Sequence, residues 1–134
     1  MQKIVVNKCF GGFGLSYEGH IRYAKLKGFK LYPFKWSISD NITLVNEYQL
    51  HTSHWLSYSR TPVHSDSTIE SVDSFYDHDI KRNDPALIQT VKELGEEANG
   101  NCAKLEIVEI PNDIDWTIEE YDGQEWISEV HQTW

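Results

Sequence analysis

The stretch Asn7-Lys8-Cys9-Phe10-Gly11-Gly12-Phe13-Gly14-Leu15-Ser16 follows a run of β-branched residues, Ile4-Val5-Val6, and precedes a helical pattern. Backbone N–H groups at a helix start are unpaired and carry partial positive charge, so the end of a glycine-rich turn is a plausible anion site. A phosphate-like group would be held by Lys8 and the N–H groups around Gly12 to Ser16, with Phe10 or Phe13 stacked on a ring. The ligand-binding set expected on this reading is Asn7, Lys8, Phe10, Gly11, Gly12, Phe13, Gly14, Ser16 and Arg82. The pattern G-x-G-x-x-G is not present, because Gly12-x-Gly14 is followed by Leu15, Ser16 and Tyr17, and there is no Gly-Lys-Ser/Thr of a P-loop. The plainer alternative is a tight strand-to-helix turn that needs glycine for its backbone angles.

Three other groups could do chemistry. His51 and His54 have the i, i+3 spacing of some metal pairs, and His64, His78, Asp77 and Asp79 could add ligands. No H-E-x-x-H pattern supports them, and scattered histidines in a polar loop read as surface residues, so no metal or other cofactor is expected. Asp77, Asp79, Arg82 and Asp84 could supply paired carboxylates for acid and base work; more simply, they cap a helix and form salt bridges. Cys9 precedes a helix start, where a thiolate is favoured, but a nucleophile would also need a placed histidine.

The elements that must position these groups are read from periodicity and caps. The first helix enters through Ser16 as N-cap and closes at Gly28, with Tyr17, Ile21 and Ala24 as the stripe expected to pack on a sheet. Gly19, in its first turn, costs about 1 kcal/mol relative to alanine, which a close backbone approach would explain. Phe29 to Trp36 reads as a strand that Pro33 pushes towards an edge, and strand, helix, strand suggests a right-handed parallel crossover. Residues 37–80 are irregular, with a strand candidate at Ile42 to Leu50. At Asn83-Asp84-Pro85 a capped helix begins, carrying Leu87, Val91, Leu94 and Ala98 on one face and ending at Gly100. Lys104 to Ile110 is a strand buried on both faces or bulged, and Pro111 ends it.

Ile114 to Trp134 reads as a hairpin about Asp122-Gly123. A two-residue turn would put Trp116 and Trp126 on opposite faces. A three-residue loop, Tyr121-Asp122-Gly123, would pair Ile118 with Trp126 and gather Ile114, Trp116, Ile118, Trp126, Val130 and Trp134 on one face. The three-residue loop is the expectation, because slipping the register would bury charges. Together these elements predict an α+β fold, a mixed β-sheet with two main helices and a C-terminal β-hairpin, in one domain spanning 1–134.

The 134 residues carry a net charge of −9. Its distribution is uneven: about +6 over residues 1–36, −4 over 37–92 and −11 over 93–134. The two ends are complementary and could pair within the fold. Alternatively, the basic end holds an anionic ligand, or the acidic end meets a basic partner. The overall sign disfavours nucleic acid as a partner. Cys9 and Cys102 form no C-x-x-C pair and read as reduced thiols of a cytosolic protein. No stretch approaches the ~20 apolar residues of a membrane span, so no membrane association and no export are expected.

Lys3 to Ser16, Phe75 to Leu87, Ala103 to Pro111, Glu119 to Gly123 and the closing His131-Gln-Thr-Trp134 resemble, in that order, a family of small uncharacterised proteins of phages and prophages. The resemblance covers about half the chain; residues 37–74 match nothing in it, and His78 stands where the family pattern has a basic residue such as arginine. It implies a viral accessory protein in a bacterial host cytoplasm and brings no catalytic residues. On this basis the chain is expected to bind a small anionic, nucleotide-like molecule without turning it over. A second expectation is docking of the acidic, tryptophan-rich hairpin on a host protein through Trp126, His131 and Trp134. The third, a hydrolase, would use the middle histidines and aspartates.

Overall fold

The computed structural model describes residues 1–36, 42–45, 56–64 and 72–130. In chain order the elements are β1 (Gln2–Asn7), α1 (Tyr17–Lys27), β2 (Tyr32–Trp36), β3 (Ile42–Leu44), β4 (Ser57–Ser59), β5 (Ser74–Phe75), α2 (Pro85–Leu94), β6 (Leu105–Ile110), β7 (Trp116–Tyr121) and β8 (Gln124–Glu129). Short 3-10 turns lie at Asp77–Asp79 and Gly95–Ala98. Among the described residues the strands form three sheets, β1-β6, β3-β2-β4-β5 and β7-β8, and every pairing is antiparallel. The class is α+β, with two main helices among the described residues and a C-terminal hairpin. Among the described residues no helix is long and apolar enough to cross a membrane.

The local signals at the helix starts act as expected. Ser16 accepts from the Gly19 N–H, and Gly28 takes the left-handed conformation at the other end of α1. Asp84 accepts from the Ala86 N–H with Pro85 in the first turn of α2. The end of α2 differs: the helix stops at Leu94 and Gly95 caps it, not Gly100. The chain beyond is drawn onto the glycine-rich loop instead, where Gly100 N donates to Gly14 O at 2.9 Å and Asn99 Oδ1 accepts from Leu105 N.

The parallel crossover does not form. β1 pairs with β6, while β2 belongs to a different sheet, and α1 packs against α2 and the turn that follows it. The buried face of α1 is accordingly Gly19, His20, Tyr23 and Ala24, rotated from the expected Tyr17, Ile21, Ala24 stripe. Gly19 permits this close packing: a Cβ would stand 3.1 Å from the Ala98 carbonyl oxygen and 3.2 Å from Leu15, so its neighbours would have to give way by a few tenths of an ångström. Pro33 is not on an edge strand, since β2 lies between β3 and β4; β3 pairs only from Phe34 onward, which leaves Pro33 a neighbour on one side. β6 pairs with β1 in unbroken register, without a bulge. Of the expected strand from Ile42 to Leu50, only Ile42–Leu44 falls in a described element, and 46–50 lie outside the described residues.

Ile4, Val5 and Val6 are fully buried, so the backbone on both edges of β1 must find partners. One edge is β6. The other is closed by side chains and a loop: Val5 N donates to Arg82 O at 2.9 Å, an Arg82 guanidinium nitrogen donates to Val5 O, and Asn7 N donates to Glu125 Oε1 at 2.8 Å. Glu125 and Arg82 are themselves joined through two nitrogen–oxygen contacts of 2.5 and 2.8 Å, and the guanidinium lies 3.7 Å over the Phe13 ring. A single buried donor left without a partner costs about 1–3 kcal/mol, more than one net hydrogen bond contributes, so this closure is required.

The same carboxylate decides the hairpin register. Trp116 pairs with Glu129, Ile118 with Ile127 and Glu119 with Trp126, which places Trp116 and Trp126 on opposite faces and corrects the expected three-residue loop. The turn is the two residues Asp122 and Gly123, both with positive φ, as a type I′ turn requires. In this register Glu125 does point inwards, and it is tolerated because Arg82 neutralises it. Glycine is obligatory at 123, where a Cβ would approach Gly12 N to 2.3 Å.

Glu125→Ala is expected to lower the unfolding free energy in urea by about 3 kcal/mol, since it leaves Arg82 without its charge partner. Glu125→Gln retains an acceptor for Asn7 N and should lose about half as much. Equal losses in the two variants would mean that the charge carries the whole contribution and the retained acceptor none, whereas no loss in Glu125→Gln would mean that the charge contributes nothing.

Candidate functional site

The glycine-rich loop, the start of α1, β4, β5, the turn at Asp77–Asp79 and residues 99–102 enclose a cleft of about 600 Å³. That volume is within the range of small-molecule sites, roughly 300–1,000 Å³. One lining residue is His20, from the first turn of α1, stacked on Tyr58 with ring centroids 3.8 Å apart and planes at 13°. Phe75 meets the imidazole edge-on at 6.0 Å. His20 Nδ1 donates to the Ser16 carbonyl oxygen at 2.9 Å, because a carbonyl can only accept. In the neutral ring Nε2 is then an acceptor, and it faces Asp77 Oδ2 at 3.8 Å. Two acceptors of lining residues thus confront one another.

Burial pushes the His20 pKa below the usual imidazole value, although the Asp77 charge and the backbone carbonyls pull it the other way. Burial also raises Tyr58, assisted by Asp77, so its hydroxyl stays protonated. Asp77 is held by the Leu15 N–H at 2.9 Å on one oxygen and lies 3.0 Å from His78 Nδ1 on the other.

Asp77 alters the anion site expected from the sequence. Its carboxylate takes the Leu15 N–H just before α1, Ser16 N donates to Ala98 O, and Gly11 N donates to Asp122 O. The chain therefore supplies its own anion beside the helix start. Of the expected binding residues, Gly11, Phe13, Gly14 and Ser16 line the cleft. Asn7 is fully buried, its amide bonded to Cys9 O and Gly123 O and its oxygen to the N–H groups of Cys9 and Lys104. Arg82 is engaged by Glu125 and Val5. Lys8, Phe10 and Gly12 are not among the lining residues, and Phe10 is 55% exposed.

The acidic cluster is dispersed. Asp77 serves the cleft, Asp79 is exposed, and Asp84 caps α2 while accepting from Tyr23 at 2.9 Å and Lys27 at 3.3 Å. Burial would raise the Asp84 pKa, but those hydrogen bonds outweigh it and lower it; the Tyr23 hydroxyl, by contrast, is pushed up to about 12, chiefly by burial. Both cysteines are free thiols; Cys102 lines the cleft and Cys9 does not. Among the described residues no group of three or more His, Cys, Asp or Glu could hold a metal ion, and His51 and His54 lie outside the described residues. The same holds for His131 and Trp134, while Trp126 is 41% exposed on the hairpin's outer face. His20, Tyr58 and Phe75 were not singled out in the sequence; the one available signal was the spacing of His20, Tyr23 and Ala24 along α1.

Comparisons with protein-family models, with curated proteins and with solved structures find no match.

His20 is held neutral in the fold, so the unfolded chain binds its proton more readily. Its contribution to stability is complete above pH 6.5 and is lost as the pH falls below that value. His20→Phe, which keeps the stack on Tyr58, should flatten the melting-temperature profile between pH 7.5 and 5. A profile parallel to wild type would remove His20 as its source.

Proposed function

We propose that the chain is a small-molecule-binding accessory protein whose cleft takes an organic cation, such as a primary or secondary amine, without turning it over. The observation that carries this reading is the acceptor pair of His20 Nε2 and Asp77 Oδ2, 3.8 Å apart in a cleft that also holds Glu18 and, among the described lining residues, no lysine or arginine. An ammonium N–H placed between the two acceptors satisfies both, whereas a phosphate there meets the Asp77 carboxylate. Tyr58, Phe75 and Tyr76 supply ring faces and edges around the position, and an aromatic face attracts a cation by about 0.5–2 kcal/mol. Tyr76 is an exposed member of this lining. The resemblance of both ends of the chain to small phage and prophage proteins supports an accessory role in a bacterial host.

Thermal shift and NMR titration with spermidine, glucosamine and ethanolamine, set against ATP and inorganic phosphate, test the proposal. At least one of the amines should raise the melting temperature by several degrees and perturb the Tyr58 and Phe75 signals, and Tyr76→Ala should weaken its binding several-fold. Protection by ATP or phosphate that disappears in Lys8→Ala would instead establish an anion site at the glycine-rich loop. No response to any of the five compounds would overturn the reading.

A further inference from the structure

The hairpin has two chemically different faces. Its inner face carries Trp116, Ile118, Glu120, Glu125, Ile127 and Glu129; Trp116 donates to Gln2 Oε1 at 3.1 Å and Glu125 is locked to Arg82. Its outer face carries Thr117, Glu119, Tyr121, Gln124, Trp126 and Ser128. Tyr121 there is 72% exposed. Glu119 Oε2 accepts from Trp126 Nε1 at 3.1 Å and from Ser128 Oγ at 2.7 Å, so one exposed carboxylate is fixed beside one exposed indole. The indole N–H is thereby satisfied, and what Trp126 offers outward is ring surface.

The charge around this face is of one sign. Residues 105–130 contain no lysine or arginine. Glu119 on the outer face and Asp122 in the turn are exposed, as are Glu120 and Glu129 on the other face, and among the described residues none of the four has an ion-pair partner. The basic first third of the chain does not neutralise them: Lys3 pairs with Glu109, Arg22 with Glu93 and Lys27 with Asp84.

We propose that the outer face of the hairpin docks an extended, arginine-rich segment of a partner protein. A guanidinium is planar and stacks on an indole, and Glu119 Oε1, beside the Oε2 that already accepts from Trp126 and Ser128, is an acceptor for its N–H groups. An ammonium matches the charge but has no plane to lay on the ring, so arginine is favoured over lysine. Because side chains on one face of an extended strand recur every second residue, arginines at alternate positions reach Trp126 with Glu119 and, beside them, Tyr121. This surface is separate from the cleft and does not depend on what the cleft binds.

Anisotropy of a labelled nine-residue peptide alternating arginine and threonine, in about 0.1 M salt, tests the surface, with lysine and glutamate versions as controls. The arginine peptide is expected to bind and to shift the Trp126 indole N–H resonance, identified by its absence in Trp126→Phe. Trp126→Ala and Glu119→Gln, both at exposed positions, should each weaken binding at least ten-fold with an unchanged melting temperature. The lysine peptide should bind several-fold more weakly and the glutamate peptide not at all. Three outcomes overturn the proposal: no binding of the arginine peptide; equal binding by wild type and Trp126→Ala, which would mark diffuse charge attraction; or concentration-dependent self-association in sedimentation that Trp126→Ala abolishes, which would make a second copy the occupant.

Discussion

A fully buried strand with only one strand neighbour presents a problem that hydrophobic burial cannot solve, because each unpaired N–H or C=O on its open edge would cost more than its hydrogen bond contributes. In this protein the open edge of β1 is closed by Arg82 and Glu125, which reach it from distant parts of the chain. Neither residue would be stable there alone. Arg82 lies between the Glu125 carboxylate and the Phe13 ring, and Glu125 between that guanidinium and the Asn7 N–H. One ionic contact thereby ties the hairpin, the glycine-rich loop and the central strand together. The positions of all three follow from it: Gly123 presses on Gly11 and Gly12, and Asn7 bonds to the carbonyls of Cys9 and Gly123.

The glycine-rich loop consequently serves shape more than charge. It bends over the start of α1 and forms one wall of the cleft, while its donors are directed to Asp77, Asp122 and neighbouring backbone. The electrostatic character of the cleft comes from residues outside the loop, above all Asp77 and His20. Their arrangement is unusual in that the imidazole tautomer set by the Ser16 carbonyl turns an acceptor towards a carboxylate. Burial keeps the ring neutral against the pull of that carboxylate, so the two effects are closely opposed. A balance of this kind responds to any added positive charge or hydrogen-bond donor.

Features governed by a few adjacent residues were legible without the fold. Ser16, Gly28 and the Asp84-Pro85 pair mark helix boundaries because capping is settled within one turn of backbone. The α+β class and the hairpin position were legible for the same reason. Sheet partners were not: the Ile4-Val5-Val6 run announces a buried strand, but nothing in it distinguishes β6 from β2 as its neighbour. Nor was the buried face of α1, which shifted to His20 and Tyr23 because α2 and not a sheet lies against it.

In the hairpin, local and long-range forces govern different features. Asp122-Gly123 determined that a turn occurs, since positive φ at two successive residues suits aspartate and glycine. Avoiding buried charge within the hairpin favoured one register, and Arg82, 43 residues away in the chain, favoured the other by making Glu125 an acceptable buried residue. The cleft has the same origin: its lining is drawn from residues 11–20, 56–58, 74–78 and 99–102, segments whose meeting depends on how three small sheets and two helices pack. Local backbone preferences act over a few residues and can be read in order along the chain. The free energy of a buried ion pair or an acceptor pair depends on a partner that only folding brings into range.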